Sequence, residues 1–137
     1  MKISNLLSKL AILLFAFTIF FIFGTQAEAR RLYSQDLYKQ WWCTKRGGEV
    51  EVELSVHVHC DCLTKVYSIE FDFAEKWAEA IGESLYFSKE TGKKAGIVLI
   101  LETKEDFQYW LRLNSTIKHH QLPIDTWIVT PADIEKK

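Results

Sequence analysis

The sequence predicts an α/β domain, a mixed β-sheet flanked by helices in the order α-β-β-β-α-β-α-β. Three observations carry that reading. Residues 49–73 hold three runs in which apolar and polar side chains alternate with period two. Residues 96–102, GIVLILE, are a short continuous apolar run, as expected of a strand covered on both faces. Helical stripes alternate with the last two strands, which argues for a mixed sheet rather than an all-β fold.

The elements follow in order. RRLYSQDLYKQWWCTKRGG carries Leu32, Leu37, Trp41 and Trp42 at roughly helical spacing and closes on Gly47-Gly48, a glycine stop. EVEVEL (49–54) reads as a half-buried strand. SVHVHCDCL (55–63) sets Val56, Val58, Cys60 and Cys62 on one side and His57, His59 and Asp61 on the other. VYSIEFDF (66–73) sets Tyr67, Ile69, Phe71 and Phe73 against Ser68, Glu70 and Asp72. A helix follows, with Phe73, Trp77, Ala80, Ile81, Ser84 and Leu85 on its stripe, ending near TGKK (91–94). After the 96–102 strand, KEDFQYWLRLNSTIKHH reads as a second amphipathic helix with acidic residues in its first turn. IDTWIVT (124–130) is the last strand, stopped by Pro131.

The N-terminus predicts export. Lys2 and Lys9 flank its start, LAILLFAFTIFFIF (10–23) is apolar, and GTQAEAR ends in small residues, so residues 1–29 read as a signal peptide cut after Ala29. Fourteen helical residues span only about 21 Å at ~1.5 Å each, short of a hydrocarbon core of about 30 Å. No stable membrane association is expected after cleavage, and the product is expected to be periplasmic or secreted. Residues 30–137 suffice for a single domain with one core. Without Lys2, Lys9 and Glu28, the 17 basic and 18 acidic residues become 15 and 17, a net of −2. No overall basic footprint therefore advertises nucleic acid, and such a partner would need a local patch.

Export implies an oxidising compartment in which cysteines pair. Cys60 and Cys62 lie two apart on one strand, about 6.5 Å between Cα atoms, and are poor partners for each other. Cys43 with Cys62, or Cys43 with Cys60, would tie the first helix to that strand. The thiol left over reads as a buried small hydrophobe. There is no CxxC pair and no zinc spacing.

The chemistry-bearing residues gather at the strand-to-helix junction. A hairpin through LTKVYS (63–68) would bring Asp61 and Glu70 together on one sheet face, and Glu49 could join them. Converging carboxylates repel one another unless a cation lies between them. Hard cations such as Mg²⁺ take oxygen ligands of this kind. A plain solvated polar face is the competing reading.

The stretch from WWC (41–43) to DTWIVTP (125–131), and above all residues 61–102, resembles a small exported bacterial family of the PD-(D/E)XK nuclease superfamily. The resemblance implies a restriction-endonuclease-like domain over residues 30–137 and metal-dependent hydrolysis of phosphodiester bonds in DNA or RNA. It implies Asp61 and Glu70 as catalytic metal ligands for Mg²⁺ or Mn²⁺, and Glu49 as a further metal ligand. Two positions depart from the family pattern. The motif's lysine, two residues after Glu70, is Asp72, and the helix glutamine is Glu83. Lys76, four residues past Asp72, is the candidate for a lysine that has migrated onto the helix, its alternative being a plain ion pair with Asp72 or Glu79. The second functional reading is therefore a catalytically inactive relative that binds nucleic acid or a protein. A third is a transition-metal binder using His57, His59 and Asp61. His119 and His120 read as helix-end residues, the tryptophans mainly as core, and Lys89, Lys93 and Lys94 as a small basic loop.

Overall fold

The computed structural model describes residues 31–55 and 58–136. The signal peptide expected over residues 1–29 and His57 of the H-x-H-x-D run lie outside them. Residues 31–137 form one compact unit.

Helix α1 spans Gln35–Lys45, and Ser34 Oγ caps it by accepting from Leu37 N at 3.3 Å. Its buried stripe is Tyr38, Lys39, Trp42 and Cys43. This differs from the expected stripe: Leu32 precedes the helix, and Leu32 and Leu37 are exposed. Glu102 anchors the chain ahead of α1, its carboxylate accepting from Leu32 N, Tyr33 N and Tyr38 Oη. Gly47 turns the chain at φ 63°, a backbone state open to glycine.

Strands β1 (Glu49–Ser55), β2 (Val58–Leu63), β3 (Tyr67–Phe73), β4 (Lys94–Ile100) and β5 (Ile124–Val129) form one sheet in that order. β1, β2 and β3 pair antiparallel, and β4 and β5 continue the sheet parallel to β3. A 3₁₀ turn (Ala74–Lys76) and α2 (Trp77–Thr91) cross from β3 to β4, and α3 (Phe107–His120) crosses from β4 to β5. The chain is thus α/β, with a five-stranded mixed sheet flanked by helices. β4 is buried from Ala95 to Ile100, as its continuous apolar run predicts.

Two cores lie on the two faces. Tyr38, Trp42 and Cys43 of α1 pack on Cys62, Ile69, Phe71, Val98, Ile100 and Val129. Ala80 of α2 and Leu113 of α3 pack on Ala95, Ile97, Leu99 and Ile124. Phe73 ends β3 against Tyr38, 6.4 Å between ring centroids, and does not join the α2 stripe.

One local expectation is corrected and two are completed. Asp106 precedes α3 and its carboxylate accepts from Glu102 N and Thr103 N, so the helix's first turn carries no acid. Pro131 starts a short helix, α4 (Pro131–Glu135), as well as ending β5. There Thr130 N and Oγ1 both donate to Asp133 Oδ2, and proline's fixed φ suits the first helical position. Of the two disulfide pairings left open, Cys43–Cys62 forms, and Cys60 is a buried free thiol.

A candidate carboxylate site

The site begins where β2 and β3 part. Their ladder holds only Cys62↔Ile69 and Leu63↔Ser68, and the next positions in that register are Asp61 and Glu70. Beyond them side chains replace the ladder. Asp61 Oδ2 accepts from Phe71 N at 2.9 Å, and Gln35 Nε2 donates to Phe71 O at 2.6 Å. The peptide groups of Phe71 are thereby satisfied by side chains rather than by ladder bonds to β2.

Lys39 enters this gap from α1. Its ammonium lies 3.0 Å from Asp61 Oδ1 and 3.3 Å from Asp36, and it is ion-paired with Glu51. Burial alone would lower its pKa, but the hydrogen bond to Glu51 and the charge of Asp61 outweigh burial and hold it above its ordinary value. Asp61 is raised by burial, against the pull of the Phe71 N–H and Lys39. Glu51 sits at φ 55°, a costly backbone state for a residue with a Cβ.

The second group of carboxylates lies on the sheet face that α2 covers. Glu70 and Asp72 stand beside Ile97 and Leu99 on β4 and are only 5 % and 4 % exposed. Glu83, exposed on α2, reaches back over them, and carboxylate oxygens of the three lie within 4.8 Å of one another. Lys76 is the cation recorded beside them, at 3.9 Å from Asp72 and more than half exposed. Burial pushes Asp72 up to about 7, opposed by Lys76 and reinforced by Glu79 and Glu83. Glu70 is driven far above the carboxylate range, first by burial, then by the charge of Asp61 and by its hydrogen bond with Glu83. Burial and mutual repulsion thus favour the protonated forms of Glu70 and Asp72.

The expected site residues are thus distributed unevenly. Asp61 and Glu70 are register neighbours, but Lys39 and Phe71 N–H occupy the Asp61 oxygens. Lys76 accompanies Asp72. Glu49 opens β1 opposite Leu63, exposed, at a shallow hollow with Lys65 and Lys93, apart from the other carboxylates. His59 is exposed on β2 opposite Glu53, and His119 and His120 are exposed at the end of α3.

Sequence reasoning passed over Lys39 and Glu51. Lys39 had a signal: it falls three and four residues before Trp42 and Cys43, a lysine inside an apolar stripe. Glu51 had none beyond sharing Glu49's strand face. The β1–β2 register, which pairs Val50 with Cys62 and Val52 with Cys60, sets Glu51 rather than Glu49 across from Asp61.

The donor set Glu70, Asp72 and Glu83 is all oxygen, the chemistry that suits a hard divalent cation. Comparison with protein-family models, curated proteins and solved structures returns no match for this chain.

Proposed function

We propose that the protein is an exported, Mg²⁺- or Mn²⁺-dependent nuclease that hydrolyses phosphodiester bonds, with the ion held by Glu70, Asp72 and Glu83. The observation that carries this reading is the convergence of three carboxylates, two of them buried, with Lys76 the one ion-paired cation beside them among the described residues. Both departures from the PD-(D/E)XK pattern, Asp72 and Glu83, fall inside this donor set. The α-β-β-β-α-β order of the first six elements is what a restriction-endonuclease-like fold requires. Such an ion polarises a phosphoryl oxygen and lowers the pKa of a bound water.

Lys76 is the lysine suited to orient an attacking water. Three carboxylates already surround the ammonium of Lys39, whereas Lys76 stands beside the cluster, 3.9 Å from Asp72. The Cys43–Cys62 disulfide supports an oxidising location, periplasmic or secreted.

Two observations favour the second reading, an inactive relative that binds nucleic acid or a protein. The aspartate expected to hold metal, Asp61, is already paired with Lys39, and the Lys76 side chain is more than half exposed to solvent.

Cleavage of labelled DNA and RNA with Mg²⁺ or Mn²⁺, beside Glu70→Ala and Lys76→Ala, separates the two. Metal-dependent cutting lost in both variants supports the nuclease and its lysine. Cutting that survives Lys76→Ala removes that lysine's role. Folded, disulfide-bonded protein that cuts nothing leaves the binding module.

A further inference from the structure

A concave site lies on the opposite face of the sheet from the Glu70 cluster, and it is built of different chemistry. A hollow of about 540 Å³ opens between the end of α1, the β2–β3 turn and β5. Its size falls within the roughly 300–1,000 Å³ common for small-molecule sites. Trp42, Tyr67 and Trp127 line it, with ring centroids 5.5 Å apart for Trp42–Trp127 and 5.1 Å for Tyr67–Trp127. Gly96 makes this wall possible, because a Cβ there would meet the Trp127 ring at 2.9 Å. Half-exposed Val66 forms part of the mouth.

The hollow also carries two cations, Arg46 and Lys65. Among the described residues neither has a carboxylate within ion-pairing distance. The Arg46 guanidinium lies over the Trp42 ring, 3.5 Å from its centroid, and one of its nitrogens donates to Trp42 O at 3.4 Å. Stacking of that kind leaves other edge N–H groups of the fork free for an anion. Burial lowers Arg46 from its ordinary pKa with no anion nearby to oppose it. Lys65 is fixed at its backbone, where its carbonyl accepts from Lys93 Nζ at 2.9 Å. An aromatic wall beside two unmatched cations is complementary to one kind of ligand, a flat apolar body ending in a negative group.

We propose that this hollow binds a small aromatic anion, its ring against Tyr67, Trp127 and Trp42 and its carboxylate, sulfonate or phosphate group at Arg46 and Lys65. The site is independent of the Glu70 cluster, since Ile69 in its wall points to the α1 face and Glu70 to the α2 face.

A matched pair of probes tests this on the purified, disulfide-bonded chain. 1-Anilinonaphthalene-8-sulfonate carries the charge, and N-phenyl-1-naphthylamine has the same aromatic body without it. Saturable binding of the sulfonate is expected, with energy transfer from tryptophan. Arg46→Gln should weaken the sulfonate about tenfold, as loss of a charged hydrogen bond does, and leave the amine unchanged. Val66→Glu, at a half-exposed mouth position, should weaken the sulfonate by placing a like charge at the entrance. It decides the matter alone if Arg46→Gln does not fold. Absence of saturable binding, equal losses for both probes, or a sulfonate affinity untouched by both variants would overturn the proposal.

Discussion

Asp61 and Glu70 are neighbours in the β2–β3 register, yet their surroundings are opposite in kind. Asp61 has a buried lysine on one oxygen and a peptide N–H on the other. Glu70 has two further carboxylates and an apolar strand beside it. The first arrangement gives each Asp61 oxygen a partner as the chain folds, and it joins α1, β1 and β2 around Lys39. The second gathers carboxylates with Lys76 at 3.9 Å from Asp72, so protons on Glu70 and Asp72 or a bound cation would relieve it. Charge buried at a strand end therefore has two separate jobs here, one structural and one available for chemistry.

The contrast is broken most severely by removing the lysine. Lys39→Met strands the carboxylates of Asp61 and Glu51 around an apolar tip. It should cost about 3–5 kcal/mol in urea unfolding, as breaking a buried ion pair does. Adding Asp61→Asn, which keeps an acceptor for Phe71 N–H, should recover part of that loss. A cost below about 1 kcal/mol would mean that Lys39 does not neutralise this region.

Next in size is the covalent tie that holds the same side together. Cys43 and Cys62 are 19 residues apart, and replacing both with alanine should cost roughly 3 kcal/mol. Gly48 packs against this bond: a Cβ there would lie 2.7 Å from Cys43 Sγ and 2.9 Å from Cys62 Sγ. Gly48→Ala should therefore lower the melting temperature of the oxidised protein more than that of the reduced protein.

The Glu70 side is sharpened by pH. Asp72 (ordinary value 3.8, folded about 7) and Glu70 bind protons more tightly in the fold than in the unfolded chain. Their contribution to stability is full below about pH 4, where both states are protonated. It falls as pH rises, because the unfolded chain gives up protons that the fold retains. The slope approaches ~1.4 kcal/mol per pH unit for each proton. The Asp72 share is exhausted above about pH 7, and that of Glu70 continues beyond it. Glu70→Gln should flatten the profile and raise stability at pH 8, opposite in sign to Lys39→Met. Metal-free melting curves between pH 4 and 8 that are flat for both proteins would contradict the account. The smallest effect belongs to Glu49→Gln, expected within about 0.5 kcal/mol at an exposed strand start.

Much of this was legible in the sequence because it rests on period and spacing. Alternation set Ile69 and Phe71 against Glu70 and Asp72, and the hairpin brought Asp61 beside Glu70. The burial of Glu70 and Asp72 was not legible. Alternating acids look like a solvated face, and only the packing of α2 over β3 covers them. Lys39 was legible as a charge in an apolar stripe, but its partners depend on the β1–β2 register, which no local pattern specifies. The disulfide needed the placement of α1 over β2. Thr130-Pro131-Ala132-Asp133 reads equally as a strand stop and as a helix start, and the structure uses it as both.

The most direct measurement is calorimetric titration of the metal-free protein with Mn²⁺ at pH 8, beside Glu70→Gln and Asp61→Asn. Saturable binding that disappears in Glu70→Gln and persists in Asp61→Asn is the predicted result. Binding lost equally in both variants, or absent from the unsubstituted protein, would contradict a cation site built on Glu70, Asp72 and Glu83.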